Sequence, residues 1–281
     1  MATRKPSTAP AVTGHALHIG VNFVDPAHYA GWGGTLAGAR ADAMALASIT
    51  RAQNMHTVEL LDDKATRTQL MVELRRIAEV AAAGNLVMLS FAGHGGRMPN
   101  AASGVKAGQQ SATWCLHDGQ CIEQELRAML AKLPAGTRAV VLSDTCHTGT
   151  VTRSAPPATT VDPGAQRPRL MPMDISIRVY GQHRAFYDKL HKDAARLPPA
   201  ATADPPTLLF AAAQENQLAY EVGQHGLFTE KLVEIWDEGR YKGSWKALEA
   251  RVRQKLPPFQ SPGLSMRGPA QAMLGERPFT A

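Results

Sequence analysis

Short apolar runs alternate along the first half of the chain with segments whose apolar residues recur every three or four positions. The runs predict buried strands, and the three-to-four spacing predicts amphipathic helices. We predict strands at 16–21, 58–61, 86–91 and 139–142 and helices at 39–51, 68–83 and 123–133. Because strands that alternate with helices form parallel sheets covered on both faces, this order predicts an α/β fold with a mostly parallel central sheet flanked by helices.

The hydrophobic pattern breaks between about residues 150 and 206, where Pro and Ala are frequent. We predict a long loop there, with one helix near 180–190. Regular patterns then predict a strand at 207–211, helices at 228–238 and 245–255, and a loop-like tail from Leu256 onward.

These changes in hydrophobic pattern and composition indicate where a single domain begins and how it is divided. Residues 1–14, rich in Thr, Pro, Ser and Ala, are predicted to be a flexible N-terminal tail. The single domain is then expected at 15–281, as segments 15–150 and 207–281 joined by the Pro-rich loop 151–206.

Two of the predicted strands end in small polar motifs. The run at 86–91 leads to Gly93-His94-Gly95-Gly96, and the run at 139–142 leads to Ser143-Asp144-Thr145-Cys146. Ligand sites of parallel sheets form beyond the carboxyl ends of the strands. His94 and Cys146 are therefore expected to meet at one sheet edge, although 52 positions separate them.

A thiol nucleophile needs a partner that moves protons and backbone donors for the developing oxyanion. Cys146 lies where a strand gives way to a turn with Gly149 close behind, a place where backbone N–H groups are exposed. His94 lies beside glycine, which permits close approach of the backbone and a substrate. The two motifs together indicate nucleophilic thiol chemistry.

The sequence resembles the caspase superfamily and, within it, the prokaryotic metacaspases (orthocaspases). The matching segments are ALHIGVN, LAGARADAMAL, FAGHGG, SDTCHTGT, QENQLAYEV and HGLFTEKLVE. Caspases carry their catalytic histidine about 50 residues before the cysteine. The resemblance covers about 16–150 and 207–256 and implies a caspase-hemoglobinase-like sandwich, with 15–150 similar to the large subunit and 207–281 to the small one.

Roles for individual residues follow from this resemblance. It implies that Cys146 is the nucleophile, that His94 protonates the leaving amine, and that the N–H groups of Gly95 and Cys146 form the oxyanion hole. Asp42 and Asp144 match acidic residues of the family's S1 pocket. Two carboxylates in a narrow cleft bind a guanidinium or ammonium group, so cleavage after Arg or Lys is implied.

Two further expectations concern the cleft. Ala92 stands where the family often has serine, so the S1 pocket is expected to differ in shape there. The strand at 113–116 is expected to form part of the cleft wall.

Many metacaspases need calcium held by aspartates, and this chain lacks most of them. Glu123-Gln124 replaces an expected acidic pair, the segment ASGVKAGQQS has no carboxylate, and Arg153 stands where an aspartate is expected. Calcium usually requires several carboxylate ligands. We therefore predict no metal and no other cofactor.

Zinc binding is an alternative interpretation of Cys115, His117 and Cys121, with His147 as a fourth ligand. These residue types are zinc ligands, but the chain has no CxxC pair and Cys115 falls on a strand-like segment. We interpret His147 as a residue beside the nucleophile whose ring points away from the substrate.

The amino-acid composition argues against some classes of partner. The net charge is +6, but the Lys and Arg residues are scattered and aromatic residues make up only 6%, which argues against a nucleic-acid partner. Three cysteines favour a reducing compartment over a disulfide framework. The N-terminus has no signal-peptide pattern and no apolar stretch reaches membrane-spanning length, so we expect a cytoplasmic protein without a membrane partner.

The sequence thus predicts a cysteine endopeptidase that acts on protein or peptide substrates with Arg or Lys at P1. An activating protein or an inhibitor are further candidate partners, and the family implies a role in stress, cell death or anti-phage defence. A legumain- or separase-like protease and a catalytically silent scaffold are the alternatives. We also expect self-cleavage within the loop, at one or more of Arg153, Arg167, Arg169, Arg178, Arg184, Lys189, Lys192 and Arg196.

Overall fold

The computed structural model describes residues 14–100, 110–146, 166–196, 204–214 and 216–281. Its strands are β1 (Gly14–Gly20), β2 (Met55–Leu61), β3 (Leu86–Ala92), β4 (Gly95–Pro99), β5 (Gln110–Leu116), β6 (Gly119–Ile122), β7 (Arg138–Asp144), β8 (Arg167–Pro168), β9 (Thr207–Ala211), β10 (Tyr220–Val222), β11 (His225–Gly226) and β12 (Gly263–Arg267). Its helices are α1 (Ala39–Ala52), α2 (Arg67–Val80), α3 (Glu123–Leu130), α4 (Met173–Gln182), α5 (Arg184–Ala194), α6 (Leu227–Trp236) and α7 (Trp245–Lys255).

A six-stranded sheet in the order β12-β9-β7-β3-β1-β2 forms the centre of the fold. The strands from β9 to β2 are parallel, and β12 pairs antiparallel with β9 at one edge. This arrangement confirms the predicted α/β class with a mostly parallel central sheet flanked by helices.

Hydrophobic cores on the two faces of this sheet explain why its central strands carry apolar residues at both odd and even positions. Successive side chains of a strand point to opposite faces, so β1 contributes Leu17 to one core and Ala16 to the other. Leu70 and Ile77 of α2 pack in the first core, and Phe228 of α6 packs in the second. A strand covered by helices on both sides has no polar face.

A small antiparallel sheet of β4, β5 and β6 follows β3, and β5 contains the strand expected at 113–116. Trp114 connects this small sheet to the central sheet through two side-chain contacts. Its ring stacks on Phe91 with centroids 4.8 Å apart, and its Nε1 donates a hydrogen bond to Ser143 Oγ over 3.1 Å.

Two predictions for the second half of the chain are wrong. The helix expected near 180–190 is the end of α4 and most of α5, which are separate helices because the backbone leaves helical geometry at His183. The tail after Leu256 is not only loop, because β12 pairs with β9. This strand lies at the sheet edge, none of its five residues is buried, and its only apolar side chains are Leu264 and Met266, which is too short an alternation to predict a strand.

Part of the predicted loop runs across the carboxyl edge of the sheet. Strand β8 pairs antiparallel with β10, with Pro168 opposite Tyr220 and Arg167 opposite Glu221. Residues 1–13 and 147–165, which hold most of the predicted tail and much of the loop, lie outside the described residues. None of the helices in the described ranges is long and apolar enough to cross a membrane.

Candidate active site

His94 and Cys146 follow the neighbouring strands β3 and β7, whose last residues, Ala92 and Asp144, are in register. Both side chains are buried. The carboxyl ends of the two strands therefore meet at one sheet edge, as their apolar runs and polar ends predict.

The thiol of Cys146 lies against the backbone of Ala219. Its Sγ is 3.0 Å from the amide nitrogen and 3.4 Å from the carbonyl oxygen of that residue. Burial raises the pKa of Cys146 to about 12, and the charge of Asp144 adds to the shift. The Ala219 amide and the positive charge of Arg169 oppose it only in part.

The imidazole of His94 packs edge-on against Trp32, with ring centroids 4.8 Å apart. Burial lowers the pKa of His94 to about 3, and the charge of Arg169 lowers it further. The Gly34 carbonyl acts in the opposite direction, but neither ring nitrogen makes a hydrogen bond within the described residues. Both shifts favour the uncharged forms, a neutral imidazole and a protonated thiol.

One backbone carbonyl oxygen accepts hydrogen bonds from several donors around Cys146. The carbonyl oxygen of Arg169 accepts hydrogen bonds from the N–H groups of Gly95, over 3.0 Å, and Cys146, over 3.2 Å. The Thr145 hydroxyl donates to the same oxygen over 3.3 Å. The two N–H groups expected to form an oxyanion hole thus converge on a single carbonyl oxygen.

The guanidinium of Arg169 is fully buried among three carboxylates. Its Nη2 lies 2.6 Å from Asp42 Oδ2 and 3.4 Å from Glu221 Oε2, and its Nη1 lies 3.2 Å from Asp144 Oδ1. Burial opposes its charge, but the three carboxylates raise the pKa of Arg169 above its ordinary value. The two aspartates predicted to bind a basic side chain therefore surround an arginine of the same chain.

Residues of β11 and α6 hold both aspartates in place. Asp42 Oδ2 accepts a hydrogen bond from the Gly226 amide over 2.9 Å, and Asp42 Oδ1 lies 2.8 Å from His225 Nδ1. Asp144 Oδ2 accepts hydrogen bonds from the amide, over 3.1 Å, and the hydroxyl, over 2.7 Å, of Thr229. Burial raises the pKa of Asp42, although Arg169 opposes the shift, and the hydrogen bond to Asp42 raises the pKa of His225.

Gly226 leaves space for this ion-pair cluster. A Cβ atom at this position would lie 2.3 Å from Asp144 Oδ2 and 2.5 Å from Arg169 Nη1. Because real Cβ contacts are longer, any larger residue would displace the carboxylate or the guanidinium.

Sequence reasoning missed Glu221 as part of the pocket. Its Oε1 accepts a hydrogen bond from the Ala37 amide over 2.8 Å, and its Oε2 accepts one from the Gly38 amide over 3.1 Å. The only signal in the sequence was an acidic residue within QENQLAYEV, one of the segments that resemble the family. Ala92, expected at this pocket, packs in a small cluster with Leu36 and Ala39.

The described residues contain no group of three or more His, Cys, Asp or Glu positioned to hold a metal. Cys115 and Cys121 are core residues, whereas the ring of His117 contacts Phe23 edge-on. Of the residues weighed for calcium, Glu123 forms an ion pair with Arg267. His147, Arg153 and residues 101–109 lie outside the described ranges.

Comparison with known proteins gives one family and a consistent fold. The family model Peptidase C14, described as the caspase domain, matches residues 13–274. Metacaspase-9 of Arabidopsis thaliana is 29% identical over 100 residues, which cover 33% of this chain and only 31% of that protein. The crystal structure of protein GSU0716 from Geobacter sulfurreducens has a TM-score of 0.86 and 36% identity, with coverage of 96% of this chain and 99% of that one. Caspase-1 from Spodoptera frugiperda, with a TM-score of 0.58, 11% identity and coverage of 96% and 95%, supports the caspase-like fold alone.

Proposed function

Because this chain belongs to the caspase domain family of peptidases, we propose that it is a cysteine endopeptidase that cleaves after Arg or Lys through Cys146 and His94. The observation that carries the proposal is the position of Arg169. Its carbonyl oxygen accepts hydrogen bonds from the N–H groups of Gly95 and Cys146, and its guanidinium lies among buried carboxylates. A basic substrate residue at P1 would need the same two contacts at once: donors for its carbonyl oxygen and carboxylates for its side chain.

The proposed reaction begins when Cys146 Sγ attacks the carbonyl carbon of the P1 residue and His94 accepts the thiol proton. Burial disfavours an isolated thiolate, so proton transfer and attack are expected to coincide. The negative charge then develops on the carbonyl oxygen, where the Gly95 and Cys146 N–H groups stabilise it. His94 next protonates the leaving amine as the C–N bond breaks, and water hydrolyses the thioester.

The proposed P1 preference follows from charge. Asp42, Asp144 and Glu221 would leave several negative charges in a buried pocket if no cation were bound. An Arg or Lys side chain supplies that cation, whereas an Asp side chain would add a further negative charge. The pocket therefore favours basic residues and rejects acidic ones.

A panel of fluorogenic tetrapeptides that differ only at P1 tests the proposed function. We expect kcat/KM for Arg and Lys to exceed that for Asp and Asn by at least about 100-fold, and Cys146→Ala to be inactive on all of them. A preference for Asp or Asn would contradict the pocket assignment. Hydrolysis of none of the peptides, under conditions where the protein is folded, would favour the silent scaffold.

Calcium independence is a second expectation. Glu123 is held by Arg267, and the segment at 101–109 contains no carboxylate. We expect excess EGTA to change kcat/KM on an Arg peptide by less than about twofold. Magnesium added with the EGTA controls for general effects of divalent ions. Steep, saturable activation by millimolar calcium would show that other oxygen ligands build a site. The pathway role in stress, cell death or defence stays a prediction.

A further inference from the structure

We propose that Trp32 is a positioning residue for His94, whose imidazole it holds in place and whose charged form it stabilises while His94 carries a proton. The inference rests on the proposed function and adds a residue that the dyad itself does not contain. It does not depend on which side chain the enzyme accepts at P1.

His94 has no acidic partner among the described residues. Neither of its ring nitrogens makes a hydrogen bond there. The carboxylates of Asp42, Asp144 and Glu221 pair with Arg169 instead. The positive charge of Arg169 also disfavours a second cation on the imidazole. Because a catalytic base is usually oriented by a third group, another contact has to fill that role here.

An indole ring lies against this imidazole. The ring centroids of Trp32 and His94 are 4.8 Å apart, and the two ring planes meet at 60°. A cation within about 6 Å of an aromatic face is attracted to it, most strongly by tryptophan and more strongly where water is excluded. Because His94 is buried, a proton on its imidazole would gain this attraction with little competition from water.

The loop before α1 fixes the indole in this position. The Trp32 amide donates to the Tyr29 carbonyl oxygen over 3.0 Å, and the centroids of these two rings lie 6.0 Å apart. Tyr29 is fully buried, and its hydroxyl donates to the Leu116 carbonyl oxygen over 2.7 Å. Gly34 has a φ of +52°, and a Cβ atom there would lie 2.7 Å from the indole. The loop therefore leaves the ring little freedom to move away from His94.

The backbone of Gly34 acts on the same imidazole. Its carbonyl favours the charged ring, whereas burial and the charge of Arg169 oppose it. The short segment 32–34 thus brings a backbone dipole and an indole ring to one side chain. Both groups favour the protonated form that the reaction requires.

His94 becomes charged twice in the proposed reaction. It first accepts the Cys146 thiol proton as Sγ attacks the substrate carbonyl carbon, and it gives this proton to the leaving amine as the C–N bond breaks. It then accepts a proton from the water that attacks the thioester and returns that proton to the Cys146 sulfur as the acid product leaves. Trp32 stabilises the imidazolium in both steps and exchanges no proton itself.

Fluorinated tryptophans incorporated in place of Trp32 in the full chain test the inference. Each added fluorine withdraws electron density from the indole face and changes its shape little, so the attraction to a cation weakens while the packing persists. On the peptide that the wild type cleaves fastest, we expect kcat to fall stepwise from tryptophan through monofluoro- to tetrafluorotryptophan, by about tenfold in total. KM should change by less than about twofold, because the interaction is made in the transition state and not with the substrate.

Ordinary substitutions give a second series. Trp32→Phe keeps an aromatic face and should lower kcat about threefold, whereas Trp32→Leu keeps only an apolar contact and should lower it at least about tenfold. Phe23→Leu is the matched control. Phe23 lies in the same loop and packs edge-on against a histidine outside the dyad, His117, with centroids 5.6 Å apart, and it is 43% exposed. Its loss should leave kcat unchanged.

The results separate this inference from the proposed function. A wild type that cleaves peptides, with fluorinated variants that keep its kcat, overturns the inference and leaves the function standing. A rise in KM at unchanged kcat would mean that Trp32 binds the substrate instead, which also overturns it. If the wild type cleaves no peptide, both proposals are wrong. Because the fluorinated rings preserve the packing, the test stands even if Trp32→Leu fails to fold.

Discussion

Cys146→Ala and His94→Ala are each expected to abolish peptide hydrolysis while the protein stays folded. Without the thiol no acyl-enzyme forms, and without the imidazole neither the thiol proton nor the leaving amine has a partner. Each loss should lower kcat by at least about 1000-fold. Initial rates on an Arg peptide, with thermal unfolding followed in parallel, provide the measurement. Cys146→Ser adds a conservative version of the first change.

Cys115 supplies the matched control for this prediction. It is a buried free cysteine of the same chain, packed in a core and making none of the contacts described for Cys146. Cys115→Ala should retain catalytic activity. Turnover like that of the wild type in either dyad variant, after contaminating protease has been excluded, would show that the nucleophile or its partner lies elsewhere.

Asp144→Ala is expected to lower kcat/KM on Arg substrates by at least about 100-fold. Its carboxylate is buried 3.2 Å from Nη1 of Arg169, whose guanidinium marks the proposed P1 position, and accepts hydrogen bonds from Thr229. Removing one partner from a buried ion pair costs about 3–5 kcal/mol, which corresponds to a factor of more than 100. The measurement is kcat/KM on paired substrates with arginine or its neutral analogue citrulline at P1.

The substrate pair separates loss of charge recognition from general damage. Because citrulline carries no charge, its kcat/KM should fall much less than that of arginine. Asp174→Ala, which removes an exposed aspartate that pairs with Arg178, should affect neither substrate. An equal loss on both substrates would mean that Asp144 supports the thiol or the fold, and no loss on either would remove it from the pocket.

Local patterns in the sequence were sufficient to predict which two strand ends adjoin at the candidate site. Strands β3 and β7 are fully or almost fully buried, so their apolar runs stand out, and each ends in a motif that must lie at the carboxyl edge of a parallel sheet. The strand ends that precede His94 and Cys146 therefore adjoin through a general rule of sheet topology. Family resemblance supplied the expected roles of Asp42 and Asp144.

The occupant of the pocket could not be predicted in the same way. Arg169 is one of several basic residues in a Pro-rich stretch, and its local sequence gives no sign that its guanidinium is buried. Its contacts come from α1, β7 and β10, which are distant in sequence. Ala219 and Glu221 were missed for the same reason, because their roles depend on long-range pairing of β8 with β10.

The order in which a ribosome releases the chain bears on when the candidate site can first assemble. Ala219, Glu221, Gly226 and Thr229, which contact the thiol or the pocket, follow the whole dyad segment in sequence. A nascent chain that has emerged only through α5 carries both dyad side chains without these supports. Folding of the site must wait for long-range contacts. Assembly of the candidate site is therefore a late event in biosynthesis, because it is complete only after α6 has left the ribosome.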